Sequence, residues 1–272
     1  MKYGWRPDRE NFSELNAIRA DPIMLRTYGM DDLYTVADPE QFIVTNPEGL
    51  LQTEDQQRTN SCVGHGGSSA VERCLFLASG RNDQLSRWYA YIQSQRFAGI
   101  RGDNGSTITA MVRVARELGV CREDLLPFPG SYVTSIPDGC NEDAARFKIQ
   151  TAMKLESITD DQLFLGKNIG AMIIGVNWTA SFDEHPTLIE RFVSGRGGGH
   201  CVCIPFLSPR VDQNGDHYAW LLNSWGLRWG KNGWKEISPQ ARTQLYRHQW
   251  TEMWGVSDML DPSPRAVIPL AA

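Results

Sequence analysis

A cysteine at position 62 closes the run Gln56-Gln57-Arg58-Thr59-Asn60-Ser61-Cys62 and opens a stretch with helical apolar spacing. Backbone N–H groups at a helix N-terminus carry partial positive charge, so a thiol held there ionises more readily and can attack a carbonyl carbon. A thiolate needs a base. His200 stands about 140 residues downstream, in Gly197-Gly198-Gly199-His200-Cys201-Val202-Cys203, where an apolar run begins. The glycines ahead of it, Gly199 above all, let a substrate backbone come close. The base in turn needs an acceptor that holds one ring nitrogen so that the other faces the sulfur. Asn223 offers one, in Leu221-Leu222-Asn223-Ser224-Trp225-Gly226. Trp225 and Trp229 can roof that contact and keep water from competing for it. Taken singly, each residue has a plainer reading, since a free cysteine is more often a small buried hydrophobe and an asparagine a turn residue.

Positioning these side chains takes helices first and strands afterwards. Val63, Ala70, Val71, Cys74, Leu75 and Ala78 predict a helix over 62–79, with Gly64, Gly66 and Gly67 weakening its first turn. Further helices are expected at 84–97 and at 106–118, the latter stopped by Gly119. Strands are expected at 171–178, 200–206 and 218–223, with 211–216 as a connecting turn. Such segregation implies an α+β protein, a helical lobe meeting a sheet lobe with a cleft between them.

With these residues in place the sequence resembles the papain family of cysteine peptidases: Gln-x5-Cys, then Gly-His, then Asn-Ser-Trp-Gly followed by Trp229-Gly230-Lys231-Asn232-Gly233. The shorter stretches Tyr3-Gly4-Trp5-Arg6-Pro7-Asp8, Asp103-Asn104-Gly105-Ser106 and Gly119-Val120-Cys121-Arg122-Glu123 resemble its short bacterial and phage branch. The resemblance implies a papain-like two-lobe fold and peptide-bond hydrolysis through a thioester. It gives Cys62 as nucleophile, His200 as acid and base, Asn223 as the residue orienting the ring, and Gln56 as an oxyanion donor beside the Cys62 N–H. Gly105 matches the place where the family hydrogen-bonds the substrate backbone. Val63 stands where the family has a tryptophan, and Thr59 where many relatives have a disulfide cysteine.

The rest of the chain bounds this reading. Of 272 residues, 41% are hydrophobic and 22% charged, as in ordinary globular proteins, and a net charge of −5 with no basic run argues against nucleic acid as a partner. No apolar stretch approaches the ~20 residues of a membrane span, and no signal peptide is read at the start, so a cytoplasmic or virion-associated protein is expected. Six scattered cysteines read as thiols. A zinc site of Cys62, His65, His200 and Cys203 is weighed and set aside: no Cys-x2-Cys pair exists, and Cys201 and Cys203 on a strand would share the face opposite His200. No metal or cofactor is expected. His185, His217 and His248 read as surface residues.

Three units are expected: an extension over 1–51 draped across the rest, including the apolar piece at 42–44; a catalytic unit over 52–238; and a tail over 239–272 packed on the sheet lobe. The partner is a polypeptide substrate. A rival reading is a papain-like fold serving as a binding or structural component of a larger assembly, such as a phage particle, with unidentified protein partners. A weaker one is a peptidoglycan amidase or transglutaminase-like acyl transferase.

Overall fold

The computed structural model describes residues 3–8, 29–39 and 51–257. The piece expected at 42–44 lies outside them.

Helix α1 spans Cys62–Ser79, the predicted range, and ends on left-handed Gly80, whose N–H bonds back to the Phe76 carbonyl. Gly64, read as a weakness, has a packing reason: a Cβ there would sit 2.4 Å from the Arg87 carbonyl oxygen and 2.9 Å from the Tyr91 nitrogen. A second helix backbone presses against it. That helix, α2, spans Arg87–Ala98 and is capped by Ser86, whose hydroxyl accepts from the Tyr89 N–H. It starts later than expected because the Leu85 N–H is engaged by the Glu72 carboxylate before the cap. Helix α3, Ile108–Arg113, is capped by Thr107 and widens into a π turn over Val114–Leu118 that stops at Gly119. A short α4, Cys140–Ala144, completes this lobe.

The second lobe is a seven-stranded sheet with two interleaved helices. Its elements are β1 Thr151–Lys154, α5 Ile158–Gly166, β2 Ala171–Trp178, β3 Leu188–Ile189, β4 Gly198–Val211, β5 His217–Leu222, β6 Trp234–Ile237, α6 Pro239–Tyr246 and β7 Thr251–Ser257. The order is β1-β7-β2-β4-β5-β6-β3, antiparallel except for β3 beside β6. Residues 239–257, within the stretch expected as a tail packed on the sheet lobe, supply a helix and the strand between β1 and β2. Strand β4 runs well beyond 200–206 because bulges against β5 let it bend and continue.

Period-two alternation sorts the sheet residues to two cores. Ile173, Cys201, Cys203, Trp254 and Val256 face α1, α2 and α3. Met172, Ile174, Val176, Val202, Ile204 and Met253 face α5 and α6. All six cysteines are free and buried. Among the described residues no helix is long and apolar enough to cross a membrane.

Between α1 and α2 lies a buried ion pair. Arg87 donates from Nη1 to Glu72 Oε1 and from Nη2 to Glu72 Oε2 at 3.1 Å, both side chains fully inaccessible. Removing Glu72 leaves the buried Arg87 guanidinium with only the longer Glu54 pair at 3.4 Å. Glu72→Ala is expected to cost about 3–5 kcal/mol, read as an earlier urea midpoint. Glu117→Ala, which breaks the exposed Arg113–Glu117 pair, is expected to cost under about 1 kcal/mol.

Candidate active site

Strands β4 and β5 are neighbours, so His200 near the start of β4 and Asn223 just past the end of β5 meet across the ladder. The segment before α1 is zipped to the residues after Asn223: the Gln56 N–H donates to the Ser224 carbonyl at 2.8 Å and the Gly226 N–H to the Glu54 carbonyl at 2.9 Å. This splice brings the start of α1 to the sheet.

The His200 ring meets Asn223 through Nε2 and Oδ1 at 2.7 Å. Oδ1 also accepts the Ser224 backbone N–H at 2.8 Å, which fixes the amide orientation. Nε2 must therefore carry the proton, and Nδ1 keeps its lone pair. Nδ1 has no hydrogen-bond partner. The Trp225 ring stacks on the imidazole at 4.5 Å and 24°, and Trp178 meets it edge-on at 5.0 Å. Trp178 and Trp229 both donate their indole N–H to Asp183, each at 3.0 Å. Trp229 thus acts on the roof through this shared carboxylate. Trp178 and Asp183 are not among the residues the sequence singles out, since nothing in their local pattern marks them; the pairing of Trp178 with Gly198 across β2 and β4 brings them in.

Cys62 is 0% exposed. Its sulfur lies at the peptide joining His200 to Cys201. Burial pushes the thiol up to about 12, opposed by the backbone N–H groups of Cys201, Gly4 and Val63 and by its own. His200 is pushed down to about 4, again by burial first, with the Asn223 contact opposing. Both groups are held neutral in this state.

Gln56 is anchored at both ends of its amide: Oε1 accepts the Ser224 hydroxyl at 2.7 Å, and Nε2 donates to the Thr59 carbonyl at 2.8 Å. Thr59 is used as a hydroxyl, bonding the Gln56 carbonyl and the Ser61 side chain. His65 turns away from this set. Its Nδ1 contacts the Ser61 carbonyl at 3.1 Å, its ring packs edge-on against Phe128, and burial pushes it down to about 3. Among the described residues no three His, Cys, Asp or Glu side chains group as a metal would need. His185 is exposed and His217 half-buried, bonding the Ser208 carbonyl; His248 packs on Phe192.

The groove beside Cys62 is occupied by the chain's own residues 3–8. The Ser106 N–H donates to the Gly4 carbonyl at 2.8 Å, the Arg6 N–H to the Ser106 carbonyl at 2.9 Å, and the Trp5 N–H to the Gly199 carbonyl at 2.9 Å. Ser106, rather than Gly105, makes the backbone bonds. Gly105, at φ +79°, supplies space instead, since a Cβ there would lie 1.9 Å from the Gly4 oxygen; at Gly199 it would lie 2.1 Å from the Trp5 oxygen. Tyr3 sits edge-on to both His200 and Trp225 at 6.2 Å.

The sequence model described as "Papain family cysteine protease" matches residues 39–253. Falcipain-2b of Plasmodium falciparum (isolate 3D7) is 26% identical over 201 residues, covering 70% of this chain and 39% of that protein, so the chain spans about two fifths of that relative's length. Xylellain, a cysteine protease from Xylella fastidiosa, superposes with a TM-score of 0.71 at 18% identity, over 94% of this chain and 96% of the other. Procathepsin B S9 from Trypanosoma congolense superposes with a TM-score of 0.67 at 14% identity, over 96% and 87%. These two likenesses establish a shared fold.

Proposed function

The chain belongs to the papain family of cysteine proteases, and from that premise we propose that it hydrolyses peptide bonds at Cys62 and is restrained by its own residues 3–8. The observation that carries this reading is a peptide backbone already lying over the sulfur, hydrogen-bonded to Ser106 on one wall and Gly199 on the other. A groove that holds one extended peptide this way suits another. The Tyr3–Asp8 and Asp103–Ser106 stretches support placing the chain in the short bacterial and phage branch of the family.

In the reaction the Cys62 sulfur attacks a substrate carbonyl carbon as its proton passes to His200 Nδ1, giving a thiolate–imidazolium pair in transit. The carbonyl oxygen becomes an oxyanion, to which the Cys62 N–H and the Gln56 amide donate. The C–N bond then breaks, and His200 returns the proton to the leaving amine. Water, deprotonated by His200, attacks the thioester carbon; the acid leaves and the thiol is restored. Asn223 holds the Nε2–H throughout, so the ring cannot turn its lone pair from the sulfur.

The segment in the groove is itself protected. It offers the sulfur the Gly4 N–H, while the Gly4 carbonyl is turned to the Ser106 N–H.

The test is a peptide-library cleavage profile of the full chain beside Cys62→Ala. Discrete products from the first and none from the second are expected; equal products from both, or none from either after the groove is cleared, would end the reading. A related expectation concerns Ser224. Ser224→Ala loses the hydroxyl that anchors Gln56 Oε1 and should lower kcat by about tenfold, part of the ~10²–10³ that a whole oxyanion donor is worth, with little change in KM.

A further inference from the structure

We propose that His65 is a positioning residue for the Cys62 site, its Nε2 holding the Asn223 amide through one enclosed water. This rests on the reading of His200 as the acid and base at Cys62.

His65 stands three residues after Cys62 on α1 and is 2% exposed. Its Nδ1 lies 3.1 Å from the Ser61 carbonyl and 3.2 Å from Ser61 Oγ. A carbonyl only accepts, so Nδ1 carries the proton and Nε2 keeps its lone pair. Burial is the largest influence on the ring and keeps it neutral, with Arg87 working in the same direction and Asp55 against it. Nε2 is therefore an acceptor. It has no hydrogen-bond partner.

Asn223 has the opposite need. Its Oδ1 is spent on His200 and on the Ser224 N–H, whereas Nδ2, a double donor, has no partner in a residue that is 2% exposed. One buried donor and one buried acceptor are left over. Both residues line a single chamber of about 10 Å³, walled also by Glu54, Ser69, Val202 and Leu222. That volume suits one water. There the water accepts from Asn223 Nδ2 and donates to His65 Nε2, and the Glu54 carboxylate on the same wall offers an acceptor for its second hydrogen.

The other side of the ring runs to the oxyanion donor. The Nδ1–H reaches the Ser61 hydroxyl, which donates to Thr59 Oγ1 at 2.7 Å, and the Thr59 hydroxyl donates to the Gln56 carbonyl at 2.7 Å. Gln56 Oε1 accepts from Ser224, the neighbour of Asn223. The water closes this circuit, so the amide that orients His200 is tied to the amide that faces the oxyanion. Without His65 the Asn223 amide is freer to turn, and the His200 lone pair turns with it. His65 touches no reacting atom and acts through Asn223.

The experiment uses the full chain carrying Gly4→Ala, with Trp5→Ala as a second opened background. His65→Phe keeps a ring against Phe128 and removes both nitrogens; His65→Gln carries an amide oxygen toward the place of Nε2. His65→Phe should lower kcat for peptide hydrolysis about tenfold with KM within about twofold. His65→Gln should recover to within about threefold of histidine. In chains that also carry Asn223→Ala, His65→Phe should cost less than about twofold, because the residue it acts through is gone. An equal loss with and without Asn223, a change in KM alone, or His65→Gln no better than His65→Phe would overturn the proposal. Alkylation of Cys62 by iodoacetamide at neutral pH reads the same cycle without any substrate, and His65→Phe should slow it about tenfold only where Asn223 is present. If the opened chain alkylates in this way but cleaves no peptide, the peptidase reading falls and the positioning role stands. A crystal structure of the full chain with Cys62→Ala needs no variant at position 65: a water within about 3.2 Å of both Asn223 Nδ2 and His65 Nε2 is expected, and a chamber without one would overturn the proposal.

Discussion

Cys62→Ala should remove turnover of every peptide the wild-type chain cleaves, with kcat falling on the order of 10⁴–10⁶. On the proposed mechanism the sulfur forms the bond that divides one difficult substitution into two easier ones, and a methyl group cannot. His200→Ala should cost a similar amount, because nucleophile and base act as one unit. For the same reason the double variant should be scarcely worse than either single one. Steady-state kinetics on a common peptide, with circular dichroism to confirm folding, tests this. An additive double variant would mean that the two residues work apart. Cys201→Ala and Cys203→Ala are useful controls, since both thiols sit on the opposite face of β4 among the helices and should leave kcat within a few-fold. Their expected cost is in packing, about 1–2 kcal/mol.

Gly4→Ala should switch the chain on. Its Cβ would fall 1.8 Å from the Asn60 carbonyl oxygen, a backbone atom that cannot step aside, so the arm must rise from the groove. Overpacking of this kind costs about 1–3 kcal/mol, which is roughly a 5- to 150-fold gain in the fraction of molecules with an open groove and hence in kcat/KM. Trp5→Ala should do as much or more, since truncating a buried tryptophan costs about 3–5 kcal/mol. The thiol gives a second readout. With the arm in place burial holds Cys62 near 12 and His200 near 4. Thiol and imidazole are then both neutral across the whole interval between, and alkylation by iodoacetamide should be slow and flat from pH 5 to 9. Once the arm lifts, water returns, the charged forms lose their desolvation penalty, and alkylation should accelerate near neutral pH. Equal alkylation of wild type and Gly4→Ala would show that the arm does not restrain the site.

Much of the candidate site is legible in the sequence. Cys62, His200 and Asn223 announce themselves by residue type, by local setting and by chain order, and α1 was expected over the residues it occupies because its apolar spacing is a purely local signal. The run at 171–178 was equally plain, since β-branched and apolar residues in sequence have few other uses. What local pattern could not carry was partnership across space. The glycines of α1 look like defects until the Arg87 backbone is set against Gly64. Trp178 and Asp183 join the His200 surroundings only through strand pairing, and β7 enters the middle of the sheet from a segment that reads as a tail. Gly105 spends its N–H on the Tyr91 hydroxyl and its carbonyl on the Gln95 amide, so it is Ser106 that presents both backbone groups to the arm.

The sequence by itself determined which candidate reacting groups are present, since sulfur, imidazole and amide bring their chemistry wherever they are placed. Tertiary structure alone decided their state and access. A thiol's ionisation depends on the water and dipoles around it, and a groove is open or shut according to what lies in it. Here that is Tyr3 to Asp8, a short polar stretch whose sequence carries no sign of where it docks. Its position follows from the bonds it finds at Ser106, Gly199 and Glu252, residues from about 100 to more than 240 positions away along the chain.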